Sequence, residues 1–248
     1  MKALITGASS GMGRDMAKYL SKLGYDLIIV ARRKELLEEV KKEVSTNCEI
    51  EVLDIANVEN CKILFEKHKD VDILINNAGF GIFGEFWTTD LDKSLNMIDI
   101  NVRAVHVLTR LYVEEMQKQG KGRILNVGSI AGFMTGPLMA EYYATKNYVV
   151  ELSSAINKEL KKAKSNVRIS VLCPGPVQTN FNNVAKVQFS TNGLTSDYVA
   201  KYAIDKFLKG KEIIIPGISI KLVYAFNKIL PRKLMSEFAY HTQRAKRK

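Results

Sequence analysis

Seven short runs of β-branched and aliphatic residues recur along the chain, separated by stretches with helical spacing of apolar residues. Most of these runs are continuously apolar rather than alternating, which is typical of strands buried on both faces of a sheet. Strands that alternate with helices predict a parallel sheet covered by helices on both faces. The predicted strands span residues 3–6, 27–30, 49–53, 73–75, 124–127, 168–172 and 212–215.

Six stretches between the strands place apolar residues at the spacing of an amphipathic helix. The predicted helices span residues 12–23, 34–44, 58–67, 92–109 running on to 119, 142–163 and 196–208. Residues 80–90 and 179–195 fit neither pattern. Long loops beyond the carboxyl ends of parallel strands commonly form the ligand crevice. We therefore expect both loops to border a binding site.

The length of 248 residues fits one large α/β domain, with residues 1–215 as its core and 216–248 as an extension. Hydrophobic residues at 46% and charged residues at 25% exclude a disordered or low-complexity protein. No apolar run approaches the roughly 20 residues of a membrane-spanning helix, and no signal-peptide segment precedes the first strand. We expect a cytoplasmic protein.

The three cysteines are far apart in sequence and form no cluster with the three histidines. The sequence therefore predicts neither a metal site nor a disulfide framework, and Cys48, Cys61 and Cys173 are expected to be ordinary thiols. The formal net charge of +11 is concentrated at the end, where residues 216–248 hold eight Lys or Arg against one acid, Glu237. Because this basic tail carries no nucleic-acid reader motif, no nucleic-acid partner is predicted.

A glycine-rich turn connects the first predicted strand to the first predicted helix. Its glycines, Gly7, Gly11 and Gly13, permit unusual backbone angles and close approach of a pyrophosphate to a helix N-terminus. A tight turn without a ligand is the alternative, but the strand–turn–helix context favours dinucleotide binding. The remaining candidate cofactor contacts in this turn are Ser9, Ser10 and Met12.

The end of the second strand indicates whether the adenosine ribose of the cofactor carries a 2′-hydroxyl or a 2′-phosphate. An acid near this point binds the ribose 2′-hydroxyl of NAD, whereas an arginine suits the 2′-phosphate of NADP. Here the strand ends in Val30 and Ala31, and Arg32 and Arg33 follow with no acid. A guanidinium can pair with phosphate and stack on adenine, so we expect NADP(H), bound mainly by Arg32.

In order along residues 1 to about 179, the chain carries the glycine turn TGASSGMG, Asp54, the tetrapeptide NNAG at 76–79, Asn101, Ser129, and Tyr142 followed four residues later by Lys146. This set resembles the short-chain dehydrogenase/reductase family. The resemblance implies a Rossmann-type, doubly wound sheet with the cofactor across its carboxyl ends. It also implies that Asp54 lies near the adenine, and Asn77 and Gly79 beside the ribose.

A tyrosine and a lysine four residues apart share one face of a helix, so the Lys146 ammonium can approach the Tyr142 phenol. We expect this cation to lower the phenol pKa and make Tyr142 the proton donor for carbonyl reduction. Tyr143 competes for the role, but only Tyr142 has a lysine at the fourth position after it. Ser129 can hydrogen-bond the same carbonyl oxygen. The resemblance implies that Lys146 binds the nicotinamide ribose and that Asn101 holds a water.

The segment after the sixth strand resembles the family's Pro-Gly segment near the nicotinamide. The resemblance implies that Val177 and Thr179 bind the carboxamide, alongside Pro174 and Gly175, and that residues 180–195 close as a lid. A bulky apolar pocket, and with it a hydrophobic ketone, is indicated by Phe83, Phe133, Met134, Leu138 and Phe181, although these side chains can also belong to the core. The chain also resembles the subgroup of this family with extended C-termini, which implies an acyl or steroid-like ketone.

Many family members end soon after the seventh strand, whereas this chain continues. Residues 218–230 place apolar residues at helical spacing beside Lys221 and Lys228. Such a helix can pack over the cleft or against a second subunit, or it can lie on a membrane surface. We expect protein packing, because apolar helix faces usually bury in protein. The family resemblance also implies a homodimer or homotetramer.

Together these features predict an NADP(H)-dependent oxidoreductase that acts on a ketone or secondary alcohol. The alternative is a catalytically weak NADP-binding regulator of the same fold. A regulator would keep the glycine turn but should have lost part of the set Ser129, Tyr142 and Lys146. All three are present.

Overall fold

The computed structural model describes residues 1–179 and 193–244, and its centre is a parallel sheet of seven strands in the order β3-β2-β1-β4-β5-β6-β9. The order reverses beside β1, as in a doubly wound Rossmann-type sheet. All seven predicted strands are confirmed with ends shifted by one or two residues. They are β1 (Lys2–Thr6), β2 (Asp26–Ala31), β3 (Cys48–Val52), β4 (Ile73–Asn76), β5 (Gly122–Val127), β6 (Val167–Leu172) and β9 (Ile213–Ile214).

Helices cover both faces of this sheet, because its central strands bury side chains on both sides. In β1, Ala3 and Ile5 point to one core and Leu4 to the other, and all three are fully buried. The first core is closed by α1 (Gly11–Lys22), α2 (Lys34–Lys42) and α7 (Ser196–Leu208), and the second by α3 (Val58–Lys67), α5 (Val105–Gln119) and α6 (Ala140–Lys162).

The helix predicted over 92–119 is divided into three parts. It consists of α4 (Leu91–Ile98), a π-helical stretch (Asp99–Ala104) and α5. Wide π turns inside helices are rare and often occur at functional sites. Here the wide turn carries Asn101, whose side chain is fully buried.

The two segments without a sequence assignment differ in how much the structure describes. Residues 80–90 contain only a short 3-10 turn, Phe86–Thr88. At the second segment, β7 (Val177–Gln178) pairs in parallel with β8 (Leu194–Thr195). Residues 180–192, which include Phe181 and most of the predicted lid, lie outside the described part of the chain.

The extension forms two helices, α8 (Ile218–Ile229) and α9 (Arg232–Arg244). The first was predicted from the sequence and the second was not. On α8, Ile220 and Tyr224 pack against a core that includes Ile215, and the Tyr224 ring meets Phe133 edge to face at 4.6 Å. The expectation that this helix packs on protein is therefore met by one of its faces. No helix in the described ranges is long and apolar enough to cross a bilayer.

Candidate active site

A cleft of about 1090 Å³ opens at the carboxyl ends of the sheet strands. It brings together most residues of the predicted site, although they come from segments far apart in sequence. The predicted residues that line it are Gly7, Ser9, Ser10, Gly11, Met12, Arg32, Arg33, Asp54, Asn77, Gly79, Ser129, Tyr142, Lys146, Pro174, Gly175, Val177 and Thr179.

Two predicted site residues lie behind the cleft wall rather than on it. A Cβ on Gly13 would come within 2.4 Å of the Gly7 carbonyl oxygen, so Gly13 permits the turn to fold onto its helix. Asn101 is buried under the loop that starts at Phe80, whose backbone carbonyl accepts from Asn101 Nδ2 at 2.8 Å. Both residues shape the cleft without forming part of its lining.

The predicted pocket residues divide in the same way. Phe83 and Met134 line the cleft. The assignment of Phe133 and Leu138 to the pocket is wrong, since neither is among the residues lining the cleft. Phe133 instead packs on Tyr224 of α8, and Leu138 is buried with a left-handed backbone φ of 65°.

The glycine turn packs closely against the segment that follows β4. Gly7 has a φ of 66°, and a Cβ there would lie 2.7 Å from the Ala78 Cα, so only glycine fits. Asn77 Nδ2 donates to the carbonyl oxygens of Thr6 and Gly7 at 3.0 and 3.1 Å. The Asn77 amide nitrogen therefore fixes the turn itself, a role that the resemblance to the family did not imply.

A pyrophosphate fits at the N-terminus of α1. Ser10, the residue that caps this helix, makes no side-chain capping hydrogen bond within the described structure. Ser10, Gly11 and Met12 line the cleft, so the positive end of the helix dipole of α1 borders it. A Cβ on Gly11 would lie 3.1 Å from Thr179 Cγ2, so glycine leaves this approach open.

Two arginines line the cleft directly after the carboxyl end of β2. Arg32 Nη1 is 3.7 Å from Asp54 Oδ2, and the two side chains are 65% and 42% exposed. Arg33 Nη2 donates to Ser9 Oγ at 3.3 Å, which attaches it to the glycine turn. Both guanidinium groups can reach an anion bound beside the turn.

At the opposite end, Ser129, Tyr142 and Lys146 meet on the cleft floor. Ser129 follows β5 and caps the short turn Ile130–Phe133, with its Oγ accepting from the Ala131 N–H at 3.1 Å. A hydrogen bond joins Ser129 to the Tyr142 phenol. Lys146 lies one helical turn further on, and its Nζ donates to the Val127 carbonyl oxygen at 2.8 Å.

Burial controls the protonation of this group. It raises the pKa of Tyr142 to about 12, although the hydrogen bond with Ser129 opposes the rise. It lowers the pKa of Lys146 to about 8. The expectation that Lys146 lowers the phenol pKa is wrong for this structure, because Nζ lies 5.9 Å from the Tyr142 ring centroid and bonds to Val127. Near pH 7 the phenol holds its proton and the ammonium is mostly charged.

Asn101 connects this group to the loop above it. Its Oδ1 accepts from the Phe80 N–H at 3.1 Å, and its Nδ2 also donates to Thr145 Oγ1 at 3.1 Å. A Cβ on Gly79 would lie 2.8 Å from Asn101 Oδ1 and 3.4 Å from Lys146 Nζ. The two side chains are therefore neighbours, and glycine keeps the space between them open.

Three cysteines and the carboxylate of Glu51 are also buried. Burial raises the pKa of Cys173 to about 12 and those of Cys48 and Cys61 to about 11, so all three stay protonated. Glu51 accepts from His68 at 2.8 Å and pairs with Lys67 at 2.6 Å. The ammonium of Lys67 thus already neutralises this carboxylate.

The extension supplies part of the cleft wall, which was one of the positions expected for α8, whereas the contribution of α9 was not predicted from the sequence. The lining residues from α8 and α9 are Ile220, Val223, Phe238, Ala239, Thr242 and Gln243. Gln243 is 2% exposed, and its Nε2 donates to the Tyr143 hydroxyl at 2.5 Å. The missed signal was the spacing of Met235, Ala239 and Gln243, which places their side chains on one buried helix face.

Comparisons with known proteins agree with this geometry. The short chain dehydrogenase family model matches residues 1–188. The 3-oxoacyl-(acyl-carrier-protein) reductase FabG of Rickettsia conorii is 31% identical over 233 residues, which cover 87% of this chain and 95% of that relative.

Two solved structures share the fold over nearly the whole length. A short-chain dehydrogenase from Sphingobium yanoikuyae in complex with NADPH is 26% identical, with a TM-score of 0.83 and 94% of each chain covered. The bulky-bulky ketone specific alcohol dehydrogenase from Comamonas testosteroni is also 26% identical, with a TM-score of 0.79 and coverage of 95% of this chain and 94% of that one. The chain therefore belongs to the short-chain dehydrogenase/reductase family of oxidoreductases.

Proposed function

We propose that the protein transfers a hydride between NADP(H) and a bulky, hydrophobic ketone or secondary alcohol. The observation that carries this proposal is the meeting of Ser129, Tyr142 and Lys146 on the floor of a cleft whose other end is a glycine turn at a helix N-terminus. A binding protein without catalysis has no need of a protonated phenol beside a hydroxyl at this point. The regulatory alternative is therefore disfavoured.

The nicotinamide, when bound, supplies or accepts the hydride. In the direction of reduction, Tyr142 donates its proton to the carbonyl oxygen of the substrate as negative charge develops there. Ser129 donates a hydrogen bond to the same oxygen and orients the phenol. The buried ammonium of Lys146 is fixed on the Val127 carbonyl, and by the family resemblance it would bind the hydroxyls of the nicotinamide ribose.

Asn101 positions this group rather than touching the substrate. Its amide bonds to both backbone groups of Phe80 and to Thr145, so it ties the π-helical stretch to α6 and to the loop over the cleft. By the family resemblance, a water held here would connect Lys146 to solvent. We propose this relay role for Asn101.

NADP(H) is proposed over NAD(H) because two guanidinium groups and no free acid lie at the adenine end. Asp54 is the carboxylate nearest to this position, and it faces Arg32 at 3.7 Å. A 2′-phosphate can replace Asp54 as the partner of Arg32 and reach Arg33 as well. The NADPH complex of the Sphingobium yanoikuyae relative supports this choice.

The substrate class follows from the wall of the cleft. Its substrate end is lined by large apolar side chains, including Phe83, Met134, Ile220, Val223 and Phe238. Such a wall favours a bulky apolar group on each side of the carbonyl. The relatives named for a 3-oxoacyl substrate and for bulky-bulky ketones support this proposal.

The test is the oxidation of NADPH and NADH in the presence of ketones of graded size. We expect turnover with NADPH to rise from acetone to aryl-alkyl and long-chain 3-oxo substrates, and to vanish in Tyr142→Phe with each of them. Turnover that is fastest with the smallest ketone would contradict the substrate class. A Tyr142→Phe variant as active as the wild type would contradict the mechanism.

Three broader statements remain predictions. We propose that residues 1–248 act as one domain, that the chain forms a homodimer or homotetramer, and that it works in the cytoplasm. The exposed side of α4, with Leu91 and Leu95 at 70% and 50% exposure, offers one apolar surface for a second subunit. Analytical ultracentrifugation distinguishes monomer, dimer and tetramer.

A further inference from the structure

The extension has a second set of apolar side chains that are exposed rather than packed in the core. Eight of the nineteen exposed large hydrophobic side chains among the described residues lie in α8, α9 and their connection. Monomeric proteins rarely expose a large contiguous apolar patch without a partner for it. We call this surface the apolar platform. Its residues are seven of these eight, all but Tyr240: Ile218, Leu222, Phe226, Ile229, Leu230, Leu234 and Phe238.

The platform is separate from the face of α8 that packs on the protein. Ile218, Leu222 and Phe226 are four residues apart and form one stripe, 77%, 55% and 58% exposed. Ile220 and Tyr224 lie on the other side of the helix, in the protein core. The same helix therefore covers the cleft with one face and presents the other to the surroundings.

The charges around the platform are predominantly positive. Lys221, Lys228, Lys233 and Arg244 are exposed, α8 contains no acidic residue, and Glu237 of α9 is the single exposed acid in the described part of the extension. Two copies joined through this face by a two-fold axis would bring these cations together, which argues against self-association here. An anionic lipid surface complements them, since it takes the apolar side chains below its headgroups and the lysines at the headgroup level.

We propose that the apolar platform docks on the surface of an anionic membrane. The docking is peripheral, because an amphipathic helix of this kind lies in the plane of the interface. Phe238 belongs both to the platform and to the lining of the cleft. The docked surface therefore adjoins the mouth of the active site. This inference does not depend on which ketone the enzyme reduces.

The experiment is sedimentation of the full chain with phosphatidylcholine vesicles that contain either about a quarter phosphatidylserine or none. We expect binding to the anionic vesicles, at least about tenfold weaker at high salt, and little binding to phosphatidylcholine alone, because salt and neutral lipid both remove the attraction of the lysines. The double variant Leu222→Gln/Phe226→Gln should bind the anionic vesicles at least about tenfold more weakly.

The matched control is Val52→Gln/Ile63→Gln, which replaces two apolar residues that are 45% and 57% exposed on another part of the surface. It should bind vesicles like the wild type. Thermal unfolding measures whether both double variants fold. If Leu222→Gln/Phe226→Gln does not fold, Ile229→Gln takes its place, because Ile229 is 79% exposed.

Four results would overturn the proposal. Three of them are the absence of binding to anionic vesicles, binding that survives replacement of the platform residues, and an equal loss of binding in the control. A fourth is a change of oligomeric state in Leu222→Gln/Phe226→Gln without any vesicle binding by the wild type. That result would assign the platform to a contact between copies of the chain.

Discussion

The side-chain amide of Gln243 donates a hydrogen bond to the hydroxyl of Tyr143, one hundred residues earlier in the chain. Tyr143 directly follows the proposed proton donor, Tyr142, and it lines the same cleft. Gln243 is the last buried residue of α9 in the described structure. The bond therefore attaches the end of the extension to the helix that carries the reactive groups.

Removing this bond should loosen α9 without stopping the chemistry. We expect Gln243→Leu and Tyr143→Phe each to lower the free energy of unfolding by about 1 kcal/mol. The double variant should lose little more than either single one, because both remove the same bond. Urea unfolding of the wild type, the two single variants and the double variant measures this double-mutant cycle. Strictly additive losses of unfolding free energy would show that the two side chains are not coupled.

Tyr142→Phe should reduce turnover by at least about 10²-fold, since it removes the proton that the carbonyl oxygen receives. NADPH affinity should change little because the ring remains. Stopped-flow turnover and a fluorescence titration of NADPH measure the two effects. Tyr143→Phe is the matched control and should keep most of the activity. Comparable turnover losses in the two variants would remove the special role of Tyr142.

The sheet could be predicted from the sequence because its strands are buried on both faces. A continuous apolar run such as residues 27–30 is buried on both sides when helices cover both faces of the sheet. The helical stretches between the runs supply those helices. The glycine turn and the pair Tyr142 and Lys146 were also predictable. Their chemistry depends on spacing along one strand–turn–helix unit or one helix, which sequence shows directly.

The parts that sequence reasoning missed depend on contacts between distant segments. The buried face of α9 consists of Met235, Ala239 and Gln243, which form a weak apolar pattern, and only Pro231 at its start marks a helix. The pKa of Tyr142 was misjudged because Lys146 bonds to a carbonyl of β5. Neither the burial of a phenol nor the partner of an ammonium follows from their spacing.

Arg32→Asp should shift cofactor preference from NADPH towards NADH by roughly one to two decades, which corresponds to the loss of a charge-assisted bond of about 1.5–3 kcal/mol. Arg33→Asp should shift it less, because Arg33 is attached to Ser9. Values of kcat/KM for both cofactors measure the change, with the remote, exposed Arg110→Ala as a control. An unchanged preference in Arg32→Asp would assign the 2′-phosphate to Arg33 or Ser9.

The buried Lys146 should make stability depend on pH. Its pKa is lowered by burial from 10.5 to about 8, so the unfolded chain binds more protons between these values and the free energy of unfolding rises with pH across this window. The rise from this group is at most about 3 kcal/mol. Lys146→Met should flatten the curve between pH 8 and 10. If the free energy of unfolding depended on pH in the same way in the wild type and in Lys146→Met, the lowered pKa of Lys146 would be contradicted.

Truncation after Gly217 should destabilise the protein, because it removes Ile220 and Tyr224 from the core that contains Ile215. Loss of two packed apolar side chains corresponds to at least about 2 kcal/mol. The cleft also loses a wall, so KM for a bulky ketone should rise. A shorter truncation after Leu230 keeps α8 and should show a smaller fall in Tm. If the chain truncated after Gly217 matched the intact protein in Tm and KM, then α8 would not pack on the enzyme in solution.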